Sequence, residues 1–118
     1  MTSITLEGMK VNAKSISRTQ LVSIWKTLTR QPFPRVRALK LADDDFEYIL
    51  HFRKCREDER REMEEWGRVL STRGTDACVF NAEKNADVDY IILIRDNPYH
   101  EPREVLEHEL RHIARGDL

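Results

Sequence analysis

The apolar stretch from Tyr90 to Ile94 constrains the fold more than any other part of this sequence. It is almost continuous in aliphatic and β-branched residues, which is typical of a strand covered on both faces. Asp96-Asn97-Pro98 ends this strand, and a helix is predicted from Pro102 to Arg115. Proline suits the first position of a helix, and Gly116 can end the helix in a left-handed turn. A covered strand followed by an amphipathic helix predicts an α+β fold.

Two further regions carry regular patterns. A helix is predicted after Ser15, capped by Ser17 or Thr19 and ended by Gln31-Pro32-Phe33-Pro34, because a proline disfavours helix at the residue before it. Strands are predicted at Ala77–Asn81 and Asp89–Arg95, joined by a polar loop. Residues 1–14 are predicted to form an edge strand or a loose arm, within a single domain of residues 1–118.

The middle of the chain is ambiguous. Val36–Leu41 and Phe46–Phe52 predict a hairpin around residues 42–45, because Phe46, Tyr48, Leu50 and Phe52 alternate with other residues. The competing interpretation is a helix from Asp44 onward. From Arg53 to Ser71, oppositely charged residues recur four apart, which predicts a charged helix with a solvated face.

Composition narrows the function. The chain has 118 residues, with 20 Lys and Arg against 21 Asp and Glu, a formal net charge of -1. Such a balance favours neither nucleic acid nor a membrane as partner, and the basic residues between Arg53 and Arg61 alternate with acidic ones. The first residues lack an apolar leader, and Cys55 and Cys78 are too few for a disulfide framework. We therefore expect a cytoplasmic protein with reduced thiols.

The last predicted helix contains the sequence His108-Glu109-Leu110-Arg111-His112, an HExxH motif. Two histidines four residues apart project from one helix face and can reach one metal ion. The glutamate after the first histidine lies beside that ion and can take a proton from water. At about 100° per residue, Leu106, Leu110 and Ile113 form a core stripe, and the two histidines adjoin it. The sequence therefore predicts a zinc site on a cleft wall.

A strand, an Asn-Pro loop and a helix with HExxH resemble part of a zincin metallopeptidase. The size resembles that of the minigluzincins, which are short archaeal and bacterial proteins predicted to be metallopeptidases. The resemblance implies a minimal zincin-like domain with a backing helix at residues 17–30, a small, mostly antiparallel twisted sheet and a C-terminal active-site helix. It implies Zn²⁺ held by His108 and His112, Glu109 as the general base, and a peptide or protein substrate. Tyr90–Arg95 would then be the upper-rim strand that pairs with an extended peptide.

The third zinc ligand does not follow from the resemblance. Gluzincins take it from a glutamate on a later helix, whereas six residues follow His112 here. Metzincins have a glycine three residues and a ligand six residues after the second histidine, whereas Gly116 and Asp117 follow it by four and five. Asp117 is the only carboxylate residue after His112 and is predicted as the third ligand. The alternatives are His100, a ligand from a second chain in a homodimer, or a ligand beyond Leu118.

These expectations predict a zinc-dependent metallopeptidase, active or latent. Tyr99, His100 and Arg115 are candidate donors to the oxyanion that forms at the scissile carbonyl. The alternative is a non-catalytic zinc-binding or protein-interaction module on a degenerate zincin scaffold. A structural zinc site is closed by a fourth ligand, for which Cys78 and His51 are the candidates.

Overall fold

The computed structural model describes residues 2–6, 8–54 and 75–118. Within these ranges the chain forms five strands and three helices. In chain order they are β1 (Thr2–Leu6), β2 (Met9–Ser15), α1 (Arg18–Leu28), β3 (Val36–Leu41), α2 (Asp43–Lys54), β4 (Ala77–Asn81), β5 (Tyr90–Arg95) and α3 (Pro102–Arg115).

The strands form one mixed sheet in the order β1-β2-β3-β5-β4. β3 and β5 pair in parallel, and the other neighbouring strands pair antiparallel, so the predicted α+β class with a mostly antiparallel sheet is confirmed. β1 and β2 meet at Gly8, whose φ of 79° is a conformation that glycine adopts without steric cost. The N-terminal residues therefore form strands, and β1 lies at the edge of the sheet opposite β4.

Helices cover both faces of the sheet. α1 and α3 pack on one face, where Leu21 and Trp25 meet Leu106 and Leu110 over Ile92. α2 packs on the other face, and its buried side chains form a cluster with residues of β2, β3 and β5. Ile92 and Leu93 of β5 belong to opposite clusters and are both fully buried. The prediction that this strand is covered on both faces is confirmed.

Several other predicted elements are also confirmed. Ser17 caps α1, because its side chain accepts a hydrogen bond from the backbone N–H of Gln20 at 3.2 Å. β4 occupies the predicted residues, and β5 begins one residue later than expected. α3 begins at Pro102 and ends at Arg115, and the C-cap residue Gly116 has a left-handed φ of 69°. These elements depend on local signals, which explains why the sequence is sufficient to place them.

The predicted hairpin at Val36–Leu41 and Phe46–Phe52 is wrong, because its second half lies in α2. Phe46, Ile49 and Leu50 are all buried at the spacing of one helix face. Three consecutive aspartates at Asp43–Asp45 also stabilise the start of the helix by facing its positive end. The alternation that favoured a strand is accidental, since it assigns Ile49 to the solvent side while its side chain is fully buried.

The expected role of Tyr90–Arg95 as an upper-rim strand is also wrong. β5 lies inside the sheet and is hydrogen-bonded to β3 on one side and to β4 on the other. In the described part of the chain, β4 pairs only with β5 and is the edge strand on that side. An extended peptide could therefore pair with β4 and not with β5.

The predicted charged helix lies mostly outside the described residues. Arg53 and Lys54 form the end of α2, whereas positions 55–71 of that prediction, Cys55 among them, are not described. Among the described helices, none is long and apolar enough to cross a membrane.

Candidate metal centre

The helix α3 carries its two histidines at the border between core and solvent. Its buried stripe of Leu106, Leu110 and Ile113 anchors the helix against α1 and the sheet. His108 is exposed and His112 is partly buried on the adjoining face. The amphipathic pattern thus fixes the rotation of α3 and, with it, the direction of both imidazoles.

The two imidazole rings meet through their Nε2 atoms. The Nε2 of His108 lies 3.1 Å from the Nε2 of His112, and the ring planes are nearly perpendicular at 88°. Two nitrogens bound tetrahedrally to one zinc ion, each at about 2.0–2.1 Å, are about 3.3 Å apart. The pair therefore has the separation that two of the four zinc ligands require.

Asp117 lies behind His112. Its Oδ1 is 2.9 Å from Nδ1 of His112, the ring nitrogen opposite the one that meets His108. The left-handed turn at Gly116 brings the chain back toward the helix, where the backbone N–H of Asp117 donates to the carbonyl of His112 at 3.3 Å. An ionised carboxylate only accepts hydrogen bonds, so Nδ1 of His112 is the donor and its Nε2 is left available. This geometry favours Asp117 as a partner of His112 over the predicted role as a ligand.

Glu109 is a buried carboxyl group beside the histidines. It is 7% exposed, and in the described part of the chain its carboxylate has no hydrogen-bond partner. Burial raises the pKa of Glu109 above its ordinary value, and the charge of His112 partly opposes this rise. A carboxyl group without a fixed partner is suited to exchange a proton with a bound molecule.

A cavity of about 370 Å³ opens in front of Glu109. One wall is α3, which contributes Glu104, Val105, His108 and Glu109. The opposite wall consists of the loop before α3 and the residues that lead into β4. The lining residues on this side are Thr75, Asp76, Ala77 and His100. The predicted base and the first predicted ligand therefore face one concave site that is large enough for part of a peptide.

Asp76 is a residue of this site that the sequence analysis missed. It is 6% exposed, and its carboxylate accepts hydrogen bonds from the backbone N–H groups of Tyr99 and His100 and from Nδ1 of His100. In the sequence it follows Gly74-Thr75 and is indistinguishable from an ordinary turn residue. Only the tertiary fold brings it next to His100, which lies 24 positions later.

The side chain of Arg95 contacts the segments that form this wall of the cavity. It is 2% exposed, and its Nε donates to the carbonyl of Thr75 at 2.9 Å. Its Nη1 donates to Glu47 of α2 at 3.2 Å, and its guanidinium lies 4.9 Å from the ring centre of Tyr99. A buried cation with partners on three segments holds the residues before β4 and the loop before α3 in one arrangement.

The remaining predicted site residues, the predicted zinc ligands His112 and Asp117 among them, do not line the cavity. Cys78 and His51 belong to the side of the sheet that α2 covers, whereas α3 lies on the other face. Tyr99 packs against Arg95, and Arg115 lies in the last turn of α3, beyond His112. Of the three candidate oxyanion donors, only His100 lines the cavity.

The donor atoms near α3 fit zinc at two positions. Among the described residues, no group of three His, Cys, Asp or Glu side chains is close enough to share one ion. Glu104 is not a substitute, because it lies eight residues, or about 12 Å along the helix, from His112. Among the described residues, a zinc ion at this position would thus have two protein ligands, His108 and His112.

Comparisons with known proteins found no match. No family model matches the chain, no curated protein matches it, and no solved structure matches it. The zinc site and the peptidase activity are therefore proposals that depend on the side-chain geometry of this chain.

Proposed function

We propose that this chain is a zinc-dependent peptidase, with His108 and His112 as zinc ligands and Glu109 as the general base. The observation that carries the proposal is the 3.1 Å separation of the two Nε2 atoms next to Glu109, a buried carboxyl group that has no hydrogen-bond partner in the described part of the chain.

Zinc bound by the two histidines would supply a Lewis acid that polarises the scissile carbonyl. Glu109 takes a proton from the attacking water and passes it to the leaving nitrogen, which restores the carboxylate. Burial of its side chain disfavours the ionised form and so increases the proton affinity that this role requires.

In this proposal Asp117 is a positioning residue and not the third ligand. By accepting a hydrogen bond from Nδ1 of His112, it selects the tautomer whose Nε2 is free to bind a metal. It also fixes the orientation of the ring. The third ligand is then supplied by another group, for example one from a second chain.

The edge strand β4 provides a place for an extended peptide. In the described part of the chain its outer edge is unpaired, and the strand begins at Ala77, which lines the cavity. A peptide that adds to β4 by backbone hydrogen bonds would run into the cavity beside Glu109. The proposed substrate is therefore an extended segment of peptide or protein.

A second candidate function is a non-catalytic zinc-binding or protein-interaction module. It is favoured by one observation, the absence of a three-ligand group among residues 2–6, 8–54 and 75–118. The predicted closing ligands Cys78 and His51 are associated with the α2 face of the sheet, so a closed zinc site would need other residues.

Titration calorimetry of the metal-stripped full chain with zinc tests the proposal. We expect one zinc per chain, with binding lost in His112→Ala. The zinc-loaded protein should cleave members of a quenched fluorescent peptide library, and Glu109→Gln should retain zinc but lose at least 99% of turnover. Glu107→Gln is the matched control, because Glu107 lies on the same helix and pairs with Arg111 at 2.8 Å, away from the cavity.

Two results would contradict the proposal. Undiminished turnover in Glu109→Gln would exclude Glu109 as the base. Tight zinc binding without cleavage of any library peptide would favour the non-catalytic module. Sedimentation of the zinc-loaded and zinc-free chains would show whether metal binding requires a homodimer.

A further inference from the structure

The cavity in front of Glu109 has an acidic lining. Asp76, Glu104 and Glu109 contribute three carboxyl groups, and the described lining includes no lysine or arginine. The other titratable groups of the lining are the imidazoles of His100 and His108. Like charges around a concave site reinforce one another, so this cavity favours a positively charged occupant.

The charge of Asp76 is compensated within the protein. Its carboxylate accepts hydrogen bonds from the backbone of Tyr99 and from the side chain of His100. The Nε of Arg95 lies 3.9 Å from its Oδ1, and Arg95 itself is 2% exposed and does not line the cavity. Asp76 is therefore part of the wall and adds little to the net charge that an occupant meets.

The carboxylate of Glu104 is not compensated in this way. It is exposed, it lines the cavity, and in the described part of the chain it makes no hydrogen bond or ion pair. Glu107 of the same helix, by contrast, pairs with Arg111 at 2.8 Å. Glu104 lies in the first turn of α3, where the helix end offsets about half a unit of negative charge. The rest of its charge is available to a ligand.

Glu109 gives independent evidence that the cavity holds a ligand. Its side chain is 7% exposed, and its carboxyl group has no hydrogen-bond partner among the described residues. Buried polar groups in folded proteins nearly always have a partner. A buried carboxyl group that lines a cavity and has no such partner indicates that a bound molecule supplies one.

Helix geometry places Glu104 close to the proposed reacting groups. Glu104 and His108 are four residues apart and form one row on α3, and Val105 and Glu109 form the adjoining row. Glu104 therefore lies about 6 Å before His108 along the helix axis. The long, flexible stem of a basic side chain can span this distance from a residue near the scissile bond.

We propose that Glu104 is a specificity-determining residue that binds a basic side chain, lysine or arginine, of the peptide or protein substrate. This inference rests on the proposed peptidase function and names the substrate class of the same site. The ammonium or guanidinium group donates hydrogen bonds to the carboxylate of Glu104, and no covalent bond forms or breaks. Glu109 remains free for proton transfer, because it lies about 7.5 Å further along the helix axis.

Binding to the metal-free full chain tests the inference without a catalytic step. The probe is a short, capped, fluorescein-labelled peptide of neutral residues in which lysine, or its uncharged analogue norleucine, occupies each position in turn. At one position we expect the lysine peptide to bind about 10-fold more tightly by fluorescence anisotropy, with a smaller difference at high salt. Glu104→Gln should abolish this preference, and Glu104→Lys should favour glutamate at the same position.

Glu101→Gln is the matched control. Glu101 is exposed, makes no side-chain hydrogen bond at the start of α3 and does not line the cavity. The substitution removes the same charge three residues away and should leave the lysine preference unchanged. In the zinc-loaded chain the ratio of kcat/KM for the lysine and norleucine peptides should follow the same pattern, about 10-fold in the wild type and Glu101→Gln and absent in Glu104→Gln.

The outcomes separate this inference from the proposed function. Equal binding of both peptides at every position, or no binding of any, would overturn the inference, and so would a preference that Glu104→Gln retains or Glu101→Gln loses. Cleavage without a lysine preference would also overturn it while leaving the peptidase intact. A Glu104-dependent lysine preference in binding, without cleavage by the zinc-loaded chain, would overturn the peptidase function and leave the role of Glu104 in recognition.

Discussion

Replacing Asp117 by asparagine tests the most specific feature of the candidate metal centre. The substitution removes the charge that accepts the Nδ1 proton of His112 at 2.9 Å but retains the size of the side chain. His112 then loses the preference for the tautomer with a free Nε2. Loss of such a supporting carboxylate costs about 10- to 100-fold in metal affinity, which corresponds to about 1.4–2.7 kcal/mol.

The structure separates this effect from an effect on folding. The side chains of His112 and Asp117 are 37% and 45% exposed, so their pairing should contribute less than about 1 kcal/mol to the stability of the metal-free chain. Zinc at about 100 times the wild-type Kd stabilises the folded chain by about 2.7 kcal/mol. At the same zinc concentration the variant should gain only about 0.4–1.4 kcal/mol. The zinc-induced rise in Tm should therefore be smaller by about 5–9 °C in a domain of this size.

Thermal unfolding with and without zinc, combined with titration calorimetry, measures both quantities. Asp89→Asn is the matched control, because it removes a carboxylate that is 43% exposed, is paired with Arg35 at 2.9 Å and does not line the cavity of the candidate site. An unchanged zinc Kd in Asp117→Asn would refute the positioning role. Complete loss of zinc, as expected for His112→Ala, would instead support the sequence-based prediction that Asp117 is a ligand.

Three further predictions concern the scaffold. The lowered pKa of Asp76 gives stability that is fully present above the unfolded-state pKa, about 3.9, and is lost as the pH falls through the lower folded-state value. In urea unfolding at several pH values, Asp76→Asn should lack this acid-dependent loss of stability. A pH profile of stability that is the same in Asp76→Asn and in the wild type would contradict this prediction. Leu110→Ala empties a fully buried site and should lower the free energy of unfolding by about 2–5 kcal/mol, whereas the exposed control Arg103→Ala should change it by less than about 0.5 kcal/mol. In Gly116→Ala, the added Cβ meets no atom within 4 Å, but alanine must adopt a φ of 69°. This conformation should lower the free energy of unfolding by about 1 kcal/mol and weaken zinc binding by displacing Asp117. Unchanged stability and zinc affinity would refute the importance of this turn.

Much of the candidate site could be predicted because its signals are local. The spacing of His108 and His112 follows from helix geometry, and the stripe of Leu106, Leu110 and Ile113 sets the rotation of α3 whatever it packs against. Pro102 and Gly116 mark the ends of that helix for steric reasons that act within one or two residues. These features are independent of the rest of the chain, so the helix and its histidines appear where the sequence predicts them.

The two wrong predictions have a common physical cause. An alternating or apolar sequence pattern does not show which other elements a segment packs against or pairs with. The residues from Phe46 to Phe52 alternate as in a strand, but they form a helix that buries Ile49 against the sheet. The apolar run at Tyr90–Ile94 shows that both faces are covered, yet it does not reveal whether the strand lies at an edge or inside the sheet. Pairing with both β3 and β4 places it inside.

The sequence by itself thus determined the HExxH helix, its start at Pro102 and its end before Gly116, its core stripe and the α+β class, because each depends on interactions between residues close in the chain. The tertiary structure alone decided which groups surround that helix. It places the carboxylate of Asp76 against His100, 24 positions away, and the guanidinium of Arg95 against Glu47, 48 positions away. Contacts of this kind depend on sheet order and loop direction, which follow from burial of the whole core and not from any single segment.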